Sequence, residues 1–119
     1  MKTDNVIADK SFIYAVRIVK LCNFLCEERK EFAISNQLMR SGTSIGANIE
    51  EALGGQSTRD FIAKLCIAYK EARESRFWLR LLFATNKLSE TEAKSMIDDT
   101  EELLKILTAI LNSSRKKKI

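Results

Sequence analysis

The sequence predicts an all-α protein, an antiparallel up-down-up-down four-helix bundle, and three observations carry that prediction. Proline is absent and glycine occurs only four times in 119 residues, a composition that favours long uninterrupted helices. Apolar residues recur at alternating spacings of three and four over four stretches, which is the period of an amphipathic helix. The joints between those stretches are short, so successive helices must run antiparallel. A chain of this length fits one domain with a sizeable core, placed at residues 1–114 and followed by a basic tail at 115–119.

The first helix is expected over residues 10–28, with Phe12, Ala15, Val19, Cys22 and Cys26 as its apolar stripe and the charged run Glu27 to Glu31 as its end. The second covers 35–53. Gly54-Gly55 should stop it, because glycine readily takes the left-handed conformation that many helix ends require. The third, over 57–85, opens on Ser57-x-x-Asp60, a capping box with aspartate in place of glutamate. Its stripe is Phe61, Leu65, Ala68, Ala72, Ser75, Leu79 and Leu82, and Asn86-Lys87 closes it. Ser89-x-x-Glu92 is a full capping box opening the fourth helix, 89–112, whose stripe is Met96, Thr100, Leu103, Leu107 and Ile110.

The second helix departs from a plain bundle pattern. Its core stripe reads Leu38, Ser41, Ile45, Asn48 and Ala52, and small residues crowd Ser41 to Ala47. Glycine inside a helix costs about 1 kcal/mol relative to alanine, a loss that close approach of a neighbouring backbone would offset. Gln37, Arg40, Ser44, Asn48 and Glu51 fall on one strip of the same helix. That strip reads either as a hydrogen-bond network fixing helix register, with Glu71 or Glu74 as partners, or as a phosphate site built around Arg40.

The third helix carries more apolar surface than one core needs. Phe77, Trp78, Leu81 and Phe83 encircle its last turns together with Leu79, Leu82 and Ala84, and exposed aromatic patches mark protein interfaces. Self-association through Phe77, Trp78, Leu81 and Phe83 is the reading adopted; capping of the bundle end by the loop between the first and second helices and the amino-terminal segment is the alternative. Arg73, Arg76 and Arg80 form a basic ridge beside Trp78. Such a ridge suits either an RNA backbone or acidic partners across a protein interface.

The formal charge of +4 rests on Arg115, Lys116, Lys117 and Lys118, since residues 1–114 hold 16 basic and 16 acidic side chains. Those four read as a solvated tail or as a phosphate-binding arm. Cys22, Cys26 and Cys66 are odd in number and lie in apolar stretches, which points to free thiols in a reducing cytoplasm. No histidine exists to complete a metal site, supply a Glu-x-x-His di-iron ligand set or act as base to a nucleophile. Neither a signal peptide nor a membrane-spanning stretch is evident. The expectation is a protein without catalytic centre, metal, cofactor or small-molecule substrate.

The run Gln37-Leu38-Met39-Arg40-Ser41-Gly42-Thr43-Ser44-Ile45-Gly46-Ala47-Asn48-Ile49-Glu50-Glu51-Ala52 resembles the four-helix-bundle proteins encoded in bacterial 23S rRNA intervening sequences. Asp60-Phe61-Ile62, Lys64-Leu65, Ile67-Ala68, Lys70-Glu71-Ala72, Glu74 and Trp78-Leu79 are similar to the same family's third helix. Glu50, and Arg76-Phe77, depart from its usual pattern. The resemblance implies a bundle that assembles into a ring, a pentamer, and brings in related accessory proteins of retroelements that partner a reverse transcriptase and bind nucleic acid. The expected function is a non-enzymatic homo-oligomeric scaffold for structured RNA or a ribonucleoprotein, with a nucleic-acid enzyme as a further partner, through Arg40, Arg73, Arg76, Arg80, Arg115, Lys116, Lys117 and Lys118. The alternative is a protein-interaction module with no nucleic-acid role.

Overall fold

In the computed structural model, which describes the backbone of residues 2–117 and the side chains of 6–115, four helices follow one another. They are α1 (Lys2–Glu28), α2 (Ala33–Leu53), α3 (Thr58–Ala84) and α4 (Glu90–Lys117). They pack side by side into a rod of 49 × 21 × 21 Å. Each helix packs on its sequence neighbours and α4 returns to α1, the most sparsely packed of the four edges. The expected up-down-up-down order follows.

The joints show how the chain turns. At the end of α3, Asn86 takes a left-handed φ of 64°, which asparagine tolerates because its side chain is short and polar. The Lys87 N–H then donates to the Leu82 carbonyl and the Asn86 N–H to that of Phe83, the pairing of a Schellman end. Ser89 and Glu92 exchange the two bonds of the expected capping box, and the Ser57 hydroxyl accepts from the Asp60 N–H. Gly54 and Gly55 do end α2, but not by a left-handed residue, since neither has positive φ. Gly55 is needed instead for space: a Cβ there would lie 2.7 Å from Asp60 Oδ2 and 3.0 Å from the Ala52 carbonyl oxygen. At the α1–α2 joint Lys30 turns left-handed, and the buried Glu31 carboxylate accepts from the N–H groups of Ile34 and Ser35. Glu31 thereby caps α2, which starts two residues before its expected position.

Glu92 also accepts from the Arg29 guanidinium of α1. Its hydrogen bond to the Ser89 backbone, and secondarily Arg29, hold its carboxyl below the ordinary value of 4.5. A folded value below the unfolded one means the contribution is complete above about pH 4.5 and disappears as pH falls through the folded value. The melting temperature of the wild type should therefore exceed that of Glu92→Gln at neutral pH. Circular dichroism melts should show the difference closing as the pH falls below about 4.5.

The core corrects the expectation for α1. Phe12 and Val19, assigned to the buried stripe, are 70% and 37% exposed, and the core is filled by Ile7, Ser11, Tyr14, Ile18, Cys22 and Leu25. Helix α1 is apolar around most of its circumference, so two stripes of similar spacing compete. The one chosen puts Ile18 against Gly42 and the Ser11 backbone near Gly46, which accounts for the small residues of α2. It also releases Lys10 to pair with Glu102 and Arg17 with Asp99, bridging α1 to α4. The expected stripes of α3 and α4 are buried, with Phe61 partly so. On α2 it is Ile49, not Asn48, that is fully buried. Helix α1 begins eight residues earlier than expected, and α4 continues through Lys117, so residues 115–117 extend a helix.

Near mid-length the core holds one polar side chain from each helix. The Tyr14 hydroxyl and Thr100 Oγ1 are 2.6 Å apart, and Ser41 Oγ lies 2.8 Å from Ser75 Oγ. Ser75 also lies beside the Tyr14 hydroxyl. Thr100 and Ser75 donate onward to the carbonyls of Met96 and Glu71. Burial, the largest influence, pushes the Tyr14 phenol well above its usual range, so it stays a neutral donor at physiological pH. Among the described residues no buried side-chain nitrogen or oxygen lacks a partner, as a well-specified interior requires.

Candidate nucleic-acid interface

Because α3 buries Leu65, Ala68, Ala72, Ser75, Leu79 and Leu82, its outward line is set by helical geometry at about 100° per residue. That line holds Lys70, Arg73, Phe77 and Arg80, all exposed. Among the described residues neither Arg73 nor Arg80 forms an ion pair within the chain. Phe77 is 53% exposed between them and packs edge-on against Trp78, with ring centroids 5.0 Å apart. Arg73 lies beside the Tyr69 hydroxyl and, with a smaller effect from Thr108 of α4, pulls its ionisation below the ordinary tyrosine value.

The expected arginines separate into two groups. Arg73, beside the Tyr69 hydroxyl, and Arg80 form no ion pair among the described residues, and Arg115 at the end of α4 reaches Cys66 of α3, its Nη2 lying 3.4 Å from the sulfur. Cys66 precedes Arg73 by about two turns, so Arg115 meets the α3 ridge at one end. Arg76 is drawn toward α4 by Glu101, at 3.6 Å. Arg40 is on the other flank, where its guanidinium is held by Glu71 and Glu74, with Gln37 3.4 Å away. The side chains of Lys116 and Lys117, and all of Lys118, lie outside the described residues.

The polar strip of α2 is thus a network within one chain. Arg40 joins α2 to α3, Asn48 bonds back to Ser44, and Glu51 pairs with Lys64 at 2.9 Å. Glu74 also accepts from the Trp78 indole N–H. This turns Trp78 toward α2, while its ring still meets that of Phe77 and Leu81 follows within about one turn of both. Phe83, six residues beyond Phe77, is offset from it by about 120° around the helix, a third of a circumference. Beside the ridge, a shallow groove of about 350 Å³ between α3 and α4 is lined by Arg76, Glu101, Leu104, Lys105 and Thr108. Sequence reasoning missed Lys70 and Tyr69, although both lie three or four residues from Arg73.

Burial raises the Cys22 thiol to about 11, leaving it protonated and a poor nucleophile at neutral pH. Among the described residues no cluster of three or more histidine, cysteine, aspartate or glutamate side chains could hold a metal ion. No described helix is long and apolar enough to cross a membrane.

A four-helix chain with this α2–α3 pairing has a direct counterpart among protein families: the profile described as 23S rRNA-intervening sequence protein matches residues 3–109. The chain belongs to that family. A similar solved structure is that of a protein of unknown function from the S23 ribosomal protein family of Bacteroides thetaiotaomicron, 51% identical. The match covers 92% of this chain and 98% of that one, with a TM-score of 0.91. No curated protein matches the chain significantly. Neither the family description nor that relative's names a reaction. The departures at Glu50 and Arg76-Phe77 leave this intervening-sequence bundle intact, because Glu50 and Phe77 are exposed.

Proposed function

We propose that this intervening-sequence family member is a non-enzymatic, self-associating scaffold that binds structured RNA along the outer face of α3. The observation that carries the reading is the ridge of Lys70, Arg73, Phe77 and Arg80, in which exposed cations that form no ion pair among the described residues flank an exposed ring. Cations of this kind suit the phosphate backbone, and the ring offers a stacking surface for an unpaired base. Arg115 extends the ridge past Cys66. A body of net zero charge over residues 1–114 gives a weak field, so display of several ridges in one assembly would supply the avidity.

Fluorescence anisotropy with a labelled structured RNA tests this directly. Binding should weaken by at least tenfold between about 50 and 200 mM salt, following a linear dependence of log affinity on log salt. The neutral body favours a second reading, a protein-interaction module without nucleic acid. An absence of RNA binding at the lowest salt would overturn the RNA reading and favour the second.

A further inference from the structure

Three sulfur-bearing side chains line one cleft between α1 and α2. Cys22 and Cys26 are one turn apart on the same face of α1, and both turn to a single residue of α2. Cys22 Sγ donates to the Ser35 carbonyl oxygen at 3.3 Å, and Cys26 Sγ lies 3.4 Å from Ser35 Oγ. That carbonyl is also the helical acceptor for the N–H of Met39, one turn on. Met39 lines the same cleft as the two cysteines, a space of about 530 Å³ in which no lining residue is charged. The nearby Glu31 carboxylate is committed to the N–H groups of Ile34 and Ser35.

We infer that this cleft binds one soft monovalent cation, Cu(I), through the thiolates of Cys22 and Cys26 and the thioether of Met39. The donor set carries the assignment. Thiolate and thioether sulfur suit Cu(I), which is satisfied by two or three such ligands. Magnesium and calcium need oxygen ligands, carboxylates foremost, and the cleft offers none. A structural zinc ion takes four donors from cysteine, histidine and carboxylate, of which the cleft supplies only its two cysteines. Binding forms two copper–thiolate bonds and one copper–thioether bond; each thiol releases its proton to solvent and the copper keeps its oxidation state. Cys22 is buried and Cys26 partly exposed, so the ion enters past Cys26 and comes to rest shielded from water. Cys66, on α3, does not line the cleft. The inference is independent of RNA binding and of self-association.

Anaerobic titration of the reduced full chain with Cu(I), in competition with a chromogenic Cu(I) chelator, tests the site. The wild type should retain one Cu(I) per chain, show the ultraviolet absorption of copper–thiolate bonds and release two protons in weak buffer. Cys22→Ser/Cys26→Ser should abolish retention. Because Cys22 is buried, that variant may lose its fold, and two milder ones keep the test open, with helix content checked by circular dichroism. Cys26→Ser, at a partly exposed position, should lower Cu(I) affinity by at least about 100-fold, and Met39→Leu, which conserves core volume, by about tenfold. Cys66→Ser should bind as the wild type does. A wild type that yields all its copper to the chelator would overturn the inference. So would undiminished affinity in Cys26→Ser or Met39→Leu, loss of binding in Cys66→Ser, or displacement of the copper by equimolar zinc.

Discussion

Ile18→Ala should cost the fold about 2–5 kcal/mol, the range for truncating a fully buried aliphatic side chain, and should reverse the effect of a second substitution nearby. In the wild type a Cβ at Gly42 would lie 2.8 Å from Ile18 Cγ1, 2.9 Å from Cγ2 and 3.0 Å from Cδ1. Ile18 is β-branched and stiff in a helix, so it cannot swing aside cheaply. Gly42→Ala in the wild type should then lose about 1–3 kcal/mol to overpacking, outweighing the gain of up to about 1 kcal/mol in helix propensity. In the Ile18→Ala background all three obstructing atoms are gone, and the same Gly42→Ala should stabilise by filling space and by propensity together. Urea denaturation of the four proteins reads the change of sign as a coupling energy. Additive effects would show that the α1–α2 contact does not depend on this fit.

Arg73→Gln/Arg80→Gln should weaken RNA binding by an order of magnitude or more at low salt while leaving the bundle folded. Both positions are exposed and glutamine is a good helix former, so stability should stay within about 0.5 kcal/mol. Each phosphate contact removed lowers the slope of log affinity against log salt by about 0.9 on duplex and about 0.7 on single strands. Loss of both arginines should reduce the slope by between about 1 and 2 for every subunit touching the RNA. Arg40→Gln is the internal comparison: its guanidinium is held between Glu71 and Glu74, so RNA binding should change little. An unaltered slope in the double variant would remove α3 from the RNA surface and leave the basic end of α4 as the remaining candidate.

Much of this architecture was legible in the sequence. The stripes of α3 and α4 could be read residue by residue because each alternates spacings of three and four without a break, and the two capping boxes announce their own hydrogen bonds. Helix α1 was misread because its apolar residues nearly encircle it. Spacing alone does not choose between Phe12-Val19 and Tyr14-Ile18 when both have the right period. The choice is made by neighbours distant in sequence, Gly42 for Ile18 and Thr100 for Tyr14. That error also concealed the exposed α1 face and left the aromatic end of α3 as the sole visible interface. The ridge arginines could be grouped from sequence, but which of them were already engaged depended on Glu101 and Glu74 across two helix contacts. The role of Gly55 turned on proximity to Asp60, a distance that composition does not encode.

The four hydroxyl-bearing side chains at mid-length, Tyr14, Ser41, Ser75 and Thr100, set a condition on how the chain can collapse. Apolar stripes of leucine, isoleucine and alanine tolerate sliding by one helical turn, since each still meets an oily neighbour. A slid helix would strand the Tyr14 or Ser41 hydroxyl among hydrocarbons at about 1–3 kcal/mol for each unmatched group, while Ser75 and Thr100 would keep their bonds to the Glu71 and Met96 carbonyls of their own helices. Misaligned bundles are therefore penalised at the Tyr14 and Ser41 ends of the broken pairs. The aligned one is selected by a test that only the correct vertical placement of all four rods passes.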